Sequence, residues 1–505
     1  MQTQNIKKFT NLFLHYSFYI PIITFLALYV VRVFYLGQFH DDWDLFRAGN
    51  IKSFNDTLLQ FHDRPIIGLL FYGVNIFWNG SPVILSCLSS LLVAITAVLL
   101  FRFLKSINSL IQGNYLAPSF ITAFWLAIPW GLGYSLWPTG CLTLVAFCFF
   151  LIAANLIIAY INHGGIFKLL ALSTFLALSF LTYQAWFLNY LPCIALIYIL
   201  SPAHKYKNRN TLLSFLFCSI AQGAAILWTR QSSPKSFEIN FGLLFNNFYY
   251  APINAIKISF IDELKYKIFL VLFFLLLIFS LICFLQSKYS ISKIKIILAV
   301  MVSILGFIIS TVPYSLANYG LHGLGVMSRT TIGINFWLCI FACLIIGIAN
   351  NKKITSYLLL ILGSLILLIL IVASKNQIAS WEVSWARQNQ ILQSLPTNKI
   401  LTLPPAALVL VDEPTKIQGI EVFATPWDIN PAIDSHFKKL GILKTINHPE
   451  FFPIHKGVLW NEDGTVTFDW GDSRKDINQI WVFVPSQNKF ERIFEKGEIK
   501  SRLFP

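Results

Sequence analysis

The stretch HDDWDLFRAGNIKSFNDTLLQFHDRP, residues 40–65, directly follows the first long apolar run of the chain. It holds five aspartates within 23 residues, whereas the whole chain of 505 residues has only 23 acidic residues. Two of the five, Asp41 and Asp42, are adjacent at the expected mouth of a membrane helix. Holding carboxylates beside hydrocarbon is costly, so this stretch predicts a functional loop at the membrane surface.

The chain as a whole has the composition of a polytopic membrane protein. Hydrophobic residues make up 56% of it and charged residues 12%, and the mean hydropathy is +0.65. The first apolar run lies behind Lys7 and Lys8 and lacks a small-residue cleavage site, which predicts an anchor helix and not a signal peptide. The net charge of +15 comes largely from basic residues in short loops between apolar runs, so we expect no nucleic-acid partner. All eight cysteines fall within apolar runs, which predicts buried free thiols.

Apolar runs of suitable length predict about eleven membrane-spanning helices. The runs are 17–37, 81–104, 116–136, 139–161, 168–181, 184–200, 211–229, 267–286, 296–316, 329–349 and 354–374. One further apolar run, Pro65–Trp78, is interpreted as a juxtamembrane helix lying along the surface. With that helix left out of the count, the loops on the amino-terminal side carry lysine and arginine and no acid, as the positive-inside rule requires. The charge pattern therefore predicts a cytoplasmic amino terminus and an extracytoplasmic carboxyl terminus.

The run Lys168–Leu200 needs a separate argument, because 33 residues are too many for one span without extreme tilt. Both of its flanks are basic, so the chain must cross the membrane an even number of times there. Two short helices that meet near Tyr183 and Gln184 satisfy both conditions.

Three segments are predicted on the outer face: the loop 38–80, the loop 230–266 and a tail of about 130 residues, 375–505. The tail begins with a helical pattern over Trp381–Leu395 that Pro396 ends. Strand-like runs follow at 407–411, 420–424, 466–470 and 479–484. The predicted fold is an all-α polytopic bundle over residues 1–374, with outer juxtamembrane helices, followed by a small C-terminal α+β extracytoplasmic domain.

On this topology all the acidic residues lie outside or at the outer edge of the membrane. No predicted span has an interior Asp or Glu. Transporters coupled to protons or cations commonly keep carboxylates near the bilayer midplane. Their absence from the spans weighs against a carrier of that kind.

The acidic pair suits two kinds of chemistry. A carboxylate can act as a general base on a hydroxyl, or it can help bind a divalent cation such as Mg²⁺ or Mn²⁺. Both roles stay open for Asp41 and Asp42. A sugar joined to a lipid through phosphate has a good leaving group, so its transfer can run with one base where glycosidases use a pair of carboxylates. Arg64 and Arg329, both predicted at the outer edge, fit the phosphate by charge and by bidentate geometry.

The order of these features resembles the GT-C superfamily of glycosyltransferases, which use polyprenyl-phosphate sugars. The shared features are a long first helix, an outer loop opening with an acidic pair, the sequence Asp63-Arg64-Pro65 before an aromatic interfacial helix, then Gly80 and the next span. That superfamily includes protein O-mannosyltransferases and the aminoarabinose transferases that modify lipid A, and the order Asp-Asp, Arg47, Arg-Pro is also similar to that of bacterial O-antigen glucosyltransferases. The resemblance covers the layout of the whole chain, but its sequence-specific part is confined to residues 40–82.

The resemblance implies that Asp41 is the catalytic carboxylate and that Arg64 contacts the lipid phosphate. It also implies a polyprenyl-phosphate sugar donor, a glycan, lipid or protein acceptor, and contact with membrane lipids. The chain departs from the family in one place. Many members have a second aspartate where the third and fourth spans meet, and here that turn reads Trp137-Pro138-Thr139-Gly140.

Each candidate residue also has a structural interpretation. Asp41 and Asp42 could cap a helix over Trp43–Ile51, Arg64 could pair with Asp63, and Arg329 could reach toward lipid headgroups. Further substrate-binding candidates are Asp63 beside Arg64, His322 in a glycine-flanked outer loop, Arg230 and Lys257 in the second outer loop, and Tyr183 and Gln184 at the helical hairpin. The aromatic residues Trp130, Tyr134 and Trp137 are interpreted as a membrane-interface belt.

The sequence and the resemblance together predict an inverting glycosyltransferase that acts on the outer face of a membrane. The charge pattern fits a bacterial inner membrane and an endoplasmic-reticulum membrane equally, and the plain basic loops without sorting motifs favour the bacterial one. Asp41 would activate the acceptor hydroxyl, with Asp42 assisting or helping to bind a metal. The alternative is a surface-polysaccharide polymerase or ligase that uses Arg329 and His322. A carrier of lipid-linked sugars is a third and weaker interpretation.

Overall fold

A computed structural model describes most of the chain. The described residues are 19–30, 32, 37–39, 42–45, 53–78, 81–114, 116–232, 240–260, 262–286, 292–348, 353–404, 406–442, 449–453, 458–460, 465–468, 471–476 and 479–492.

Helices dominate the described residues. In chain order they are α1 (Tyr19–Phe25), α2 (Asp42–Leu45), α3 (Phe54–Gln60), α4 (Pro65–Trp78), α5 (Pro82–Leu110), α6 (Leu116–Leu126), α7 (Gly133–Leu136), α8 (Pro138–His163), α9 (Ile166–Thr182), α10 (Tyr190–Leu200), α11 (Lys207–Ser232), α12 (Phe241–Phe248), α13 (Tyr250–Ser259), α14 (Glu263–Gln286), α15 (Lys293–Leu316), α16 (Ile332–Ile348), α17 (Lys353–Gln393), α18 (Thr397–Ile400) and α19 (Pro426–Lys439). A π-helical turn, Leu26–Val30, extends α1, and short 3₁₀ turns lie at Pro129–Gly131, Gln184–Trp186, Val326–Thr331 and Pro485–Gln487.

The prediction of a polytopic membrane protein is confirmed. Within the described residues, seven helical stretches are long and apolar enough to cross a bilayer: Pro82–Leu110, Pro138–His163, Lys207–Thr229, Glu263–Leu285, Lys293–Leu316, Val326–Gly347 and Ile361–Gln393. Shorter apolar helices lie at Tyr19–Val30, Pro65–Phe77, Leu116–Leu126, Ile166–Thr182 and Tyr190–Leu200. The total of eleven spans stays a prediction, because four of its members correspond to these shorter helices.

The two helices predicted within Lys168–Leu200, with a break near Tyr183, are confirmed, and their crossing of the membrane stays a prediction. Helix α9 ends at Thr182, Tyr183 is extended, and α10 begins at Tyr190 after the 3₁₀ turn Gln184–Trp186. Trp186 fixes this turn, since its ring is fully buried and stacks between Phe147 and Phe150 at centroid distances of 4.5 and 4.6 Å.

The predicted span over residues 354–374 and the predicted helix at Trp381–Leu395 form one continuous helix. The expected break between the membrane bundle and the tail at residue 375 is therefore wrong. Helix α17 runs unbroken for 41 residues, so the helix predicted at Trp381–Leu395 is its final part. Residues 375–380 contain neither glycine nor proline, so nothing there ends the helix. It ends at Gln393, two residues before the predicted end at Leu395.

The chain divides into two compact units, each discontinuous in sequence. The helical unit comprises residues 1–34, 54–70 and 86–378, and the C-terminal unit comprises residues 35–53, 71–85 and 379–505. The C-terminal unit therefore includes part of the acidic loop, which the sequence pattern did not predict.

The described strands of the C-terminal unit form three sheets. The strands are β1 (Leu408–Val411), β2 (Lys416–Ile417), β3 (Ile420–Glu421), β4 (Glu450–Pro453), β5 (Val458–Trp460), β6 (Thr465–Phe468), β7 (Gly471–Asp476), β8 (Ile480–Val484) and β9 (Lys489–Arg492). The main sheet has the order β4-β1-β8-β9, with β1 parallel to β4 and to β8, and β9 antiparallel to β8. The order within the second sheet is β5-β6-β7, all antiparallel. The third sheet is the short pair β2-β3.

Central strand β1 is buried along its whole length, as a strand covered on both faces requires. All four predicted strand runs contain strands, although the second is only the two residues of β3. Helix α19 was not predicted. Pro426 stands at its start, where proline is tolerated, but Pro431 lies inside it and hides the helical pattern.

Candidate functional site

The start of the acidic loop is built into the core of the C-terminal unit. Phe39, Asp42 and Trp43 are at most 2% exposed. Helix α2, which begins at Asp42, packs against α19 of the same unit. Asp41 itself lies outside the described residues, as does the side chain of Asp44.

Asp42 closes a tight turn. Its Oδ2 atom accepts a hydrogen bond from the Phe39 N–H at 2.8 Å, and its own N–H donates to the Phe39 carbonyl at 3.0 Å. This reciprocal arrangement has the logic of a capping box, in which an acid three residues on satisfies a backbone N–H at the start of a helix. Of the three roles considered for Asp42, namely an assisting base, a metal ligand and a helix cap, these hydrogen bonds fit the cap.

Trp43 anchors the loop. Its indole Nε1–H donates to Oε1 of Gln388 at 2.8 Å, and its ring stacks on Trp385 at 5.7 Å between centroids. It also belongs to the main hydrophobic cluster of the unit, together with residues of β1 and α19 such as Val409 and Ile433.

The partners of this loop form a stripe along the end of α17. Residues 381, 385, 388 and 392 are spaced by four, three and four, which places them on one helix face. Trp381 meets the Phe39 ring edge-on at 4.8 Å, and Trp385 lies so close to Gly37 that a Cβ there would overlap its ring. The stripe therefore holds the segment before and after Asp41.

The other predicted candidates lie in the helical unit. Arg64 Nε lies 3.3 Å from Oδ2 of Asp63, and the two side chains are 34% and 24% exposed. The Arg64 N–H donates to the Phe61 carbonyl at 2.8 Å, so the loop is tightly closed just before α4. The pairing of Arg64 with Asp63, considered above as a structural interpretation, is confirmed.

Gln184 joins this loop to the helical hairpin. Its Nε2 donates to the Asp63 carbonyl oxygen at 3.0 Å. Neighbouring Tyr183 packs against a small buried cluster that includes Tyr314, near the end of α15. The structure thus brings four predicted residues together, namely Asp63, Arg64, Tyr183 and Gln184.

Arg329 lies in the 3₁₀ turn Val326–Thr331, with its guanidinium 4.6 Å from the centroid of the Trp137 ring. It lies within electrostatic range of the Tyr314 hydroxyl, which connects it to the cluster that contacts Tyr183. Guanidinium groups stack on aromatic faces while their N–H groups point outward in the plane. The Trp137 ring therefore orients the guanidinium of Arg329.

The segment that carries Arg329 is fastened to the chain around Trp130. Ser328 Oγ accepts from the Gly133 N–H at 2.6 Å, Thr331 Oγ1 donates to the Trp130 carbonyl at 3.0 Å, and the Trp130 indole donates to Asn335 Oδ1 at 2.9 Å. Trp130, Tyr134 and Trp137 are at most 3% exposed. Their interpretation as an interface belt is wrong, because these hydrogen bonds and contacts keep the rings inside the protein.

The remaining candidates are more peripheral. His322 is exposed, and its backbone N–H donates to Thr330 Oγ1 at 3.2 Å, next to Arg329 in sequence. Lys257 is exposed on α13. Arg230 belongs to α11, but its side chain lies outside the described residues.

The second outer loop ends in a helix cap. Asp262 Oδ1 accepts from the Leu264 N–H at 2.9 Å at the start of α14. This hydrogen bond and the nearby Lys265 ammonium lower the pKa of the Asp262 carboxyl. Asp262 is thus held as a carboxylate that caps a helix.

Sequence reasoning did not single out Arg32. It is 4% exposed, its guanidinium lies 4.1 Å from the Tyr29 ring centroid, and Nη2 donates to the Ser135 carbonyl at 2.9 Å. The sequence did contain a sign of its importance, because Arg32 is a lone arginine at the end of an apolar run. Charged residues are rare in membrane spans unless they have a partner or a function.

No group of three or more His, Cys, Asp and Glu side chains within the described ranges is placed to hold a metal ion. Asp41 lies outside these ranges, and a metal at the acidic pair stays a prediction. Comparison of the chain with protein-family models and with curated proteins finds no match.

Proposed function

We propose that this protein is a membrane glycosyltransferase of the GT-C type, with Asp41 as its general base. The observation that carries the proposal is the fixing of the chain on both sides of Asp41. Phe39 and Asp42 are hydrogen-bonded to each other and buried, and Trp43 is locked by Gln388. A buried anchor on each side of one acid is the arrangement expected where that acid must be positioned for chemistry.

In the proposed reaction the acceptor hydroxyl oxygen attacks the anomeric carbon of a polyprenyl-phosphate sugar, with inversion. The new C–O bond forms as the bond from the anomeric carbon to the phosphate oxygen breaks. The hydroxyl proton passes to Asp41, and the polyprenyl phosphate leaves as an anion. Since that leaving group needs little protonation, a single base is sufficient.

Arg64 and Arg329 are proposed to bind the donor phosphate. Arg64 is one-third exposed beside its Asp63 partner, and Arg329 has its guanidinium positioned over Trp137. Arginine suits this task because its planar fork binds two phosphate oxygens together. Asp63 is then an orienting partner for Arg64, while Gln184 holds the Asp63 backbone.

We assign Asp42 a positioning role in place of the predicted role in catalysis or metal binding. A carboxylate that already accepts the Phe39 N–H in a fully buried turn is suited to holding its neighbour in place. We therefore assign the base to Asp41 alone and the positioning to Asp42. A divalent cation at Asp41 stays a prediction.

The alternative is a surface-polysaccharide polymerase or ligase. His322 and Arg329 lie in one segment, closed by the hydrogen bond from the His322 N–H to Thr330. That segment could act on a lipid-linked glycan without Asp41.

The experiment is transfer of radiolabelled sugar by the purified full-length protein, with polyprenyl-phosphate sugars and nucleotide sugars as parallel donors. Transfer from the lipid donor alone is the expected result. If His322→Ala keeps the wild-type rate of transfer, the result favours the transferase. If His322→Ala loses activity while Asp41→Asn keeps it, the result favours the polymerase or ligase. Transfer from nucleotide sugars alone would contradict both assignments.

A further inference from the structure

A second candidate site lies within the helical unit, where lysine and arginine residues occupy the loop between α10 and α11 and the first turn of α11. Between α10 and α11 runs an open groove of about 460 Å³. One wall is formed by Leu191, Ile194 and Ala195, and the other by residues of α11 that include Leu212 and Phe215. Helical rise gives the groove a length of roughly 10 Å along the helices.

The mouth of the groove is polar and basic. Tyr198 and Asn208 line it, and the Tyr198 hydroxyl donates to Asn208 Oδ1 at 3.2 Å. The Lys207 ammonium lies 4.6 Å from the centroid of the Tyr198 ring and donates to the Ser201 carbonyl at 2.7 Å. An apolar channel thus opens directly beside a fixed cation.

Further cations surround this mouth. Lys205 and Arg209 both lie over the ring of Tyr206, at 5.4 and 4.7 Å from its centroid. Helix α15 packs on α10, and its Lys295 is close enough to Lys207 to act on it electrostatically. Four cations are therefore gathered at one end of three neighbouring helices.

The chain supplies no carboxylate of its own from these helices. The whole stretch 65–237 contains no Asp or Glu, and neither does 264–381. Among the described residues, no ion pair joins one of these four cations to an acid. Like charges held together repel one another, so the cluster favours an added anion. The apolar groove beside it favours a hydrocarbon chain attached to that anion.

We propose that this groove and its basic mouth bind an anionic glycerophospholipid. One acyl chain would lie along Ile194, Ala195 and Phe215, and the phosphate would meet Lys207 with Lys205 and Arg209. The site is independent of glycosyl transfer, because none of its residues belongs to the proposed reaction. A lipid held there would tie α10 to α11 and α15.

The test is native mass spectrometry of the full-length protein, titrated in detergent with phosphatidylglycerol or with phosphatidylcholine of the same acyl chains. The wild type should bind phosphatidylglycerol more tightly, by about tenfold or more, since each nearby cation contributes roughly a factor of five. The double variant Lys205→Gln/Arg209→Gln should lose most of this preference. The matched control is Lys265→Gln/Lys267→Gln, which removes two cations paired with Asp262 and Glu263 and should change nothing.

Separate variants test whether the apolar groove contributes to lipid binding independently of the basic residues. Ala195→Trp fills it and should weaken both lipids, and Leu212→Gln, at a side chain that is 63% exposed, should do so without disturbing the fold. Glycerol 3-phosphate, the headgroup chemistry without chains, should not compete at the same concentration. Equal binding of the two lipids by the wild type, or unchanged binding by both groove variants, would overturn the proposal.

Discussion

At the scale of single residues, the two adjacent aspartates take different parts. Asp42 is buried and accepts a backbone hydrogen bond, so Asp42→Ala should leave the Phe39 N–H without its acceptor. We expect a loss of about 1–3 kcal/mol in the free energy of unfolding of the C-terminal unit. Asp42→Asn keeps an acceptor oxygen and should cost less.

Thermal unfolding of the full-length protein checks this difference. Asp56→Ala is the matched control, because Asp56 is an exposed acid of the same loop. Equal unfolding temperatures for Asp42→Ala and Asp56→Ala would show that the Phe39 turn does not depend on Asp42.

We expect His436 to make the stability of the C-terminal unit depend on pH. Burial in α19 lowers the pKa of its imidazole below the usual 6.5, and the neighbouring Lys439 lowers it further. The unfolded state then binds the proton more readily than the folded state, so stability falls as pH drops below about 6.5 toward the lowered pKa. Amide hydrogen exchange of 426–439 in the full-length protein should accelerate in that range beyond its intrinsic pH dependence.

His436→Gln, which cannot titrate, should remove that additional acceleration. The variant also serves as the control for acid effects elsewhere in the chain. Identical pH dependence in the variant and the wild type would show that His436 is not the group responsible.

At the scale of elements, the last part of α17 and the acidic loop depend on each other. Trp43→Ala removes a buried aromatic side chain and should destabilise the C-terminal unit by about 3–5 kcal/mol. Gln388→Leu leaves the indole N–H of Trp43 buried without an acceptor, so it should lower the free energy of unfolding by about 1–3 kcal/mol. Gln388→Glu keeps an acceptor oxygen and should lower it less.

Hydrogen exchange and sugar transfer measured on the same preparations test this coupling. Trp427→Ala is the control, since Trp427 is 38% exposed in the same unit. If Gln388→Leu matched the wild type in both measurements, Gln388 would have no positioning role.

Close helix packing in the helical unit depends on Gly306. A Cβ at this position would overlap the ring of Trp337, whose indole N–H donates to Asn189 Oδ1 at 2.8 Å. Gly306→Ala should therefore cost about 1–3 kcal/mol by overpacking. Gly223→Ala is the matched control, because among the described residues nothing beyond its own stretch of helix lies within 4 Å of the added Cβ. Alanine also favours a helix over glycine by up to about 1 kcal/mol.

The two alanine variants should shift the unfolding temperature of the detergent-solubilised protein in opposite directions. Equal shifts would mean that α15 and α16 tolerate greater separation than the Gly306 contact indicates.

Much of the element pattern was predictable from sequence, for a simple reason. Apolar runs longer than a bilayer is thick must be helical, and basic flanks force an even number of crossings. The hairpin at Tyr183 followed from those two facts. The junction between Trp43 and Gln388 did not, because the two residues are 345 positions apart and no local pattern connects them.

The predicted aromatic belt also shows that local sequence does not identify the partners of a side chain. Trp130 and Trp137 have the composition and position of interface residues, but Asn335 and Arg329 provide partners inside the protein. Hydrophobic periodicity predicts which helices and strands form. It does not predict which polar groups from distant segments will contact their side chains.

At the scale of the whole molecule, charge predicts how the chain lies in the membrane. The basic loops fall on one side of the predicted spans, and the acidic residues on the other. We expect the tail to be outside and the loop that contains Lys205 to be inside. Cysteines introduced at Ala203 and at Lys489, both exposed positions, report this with a membrane-impermeant maleimide.

In intact cells Lys489→Cys should be labelled, and Ala203→Cys only after permeabilisation. The parent chain controls for the native cysteines. The reverse pattern would place the acidic loop on the cytoplasmic face, where a lipid-phosphate sugar flipped outward would be out of reach.

The most direct measurement compares initial rates of sugar transfer from a polyprenyl-phosphate donor by Asp41→Asn and Asp56→Asn. Both variants change one acid of the same loop to its amide, and both should unfold at the wild-type temperature. If Asp41 is the base, its variant should lose at least about 100-fold in rate, and Asp56→Asn should stay within a few-fold of the wild type. A wild-type rate for folded Asp41→Asn would contradict the assignment of Asp41 as the catalytic base.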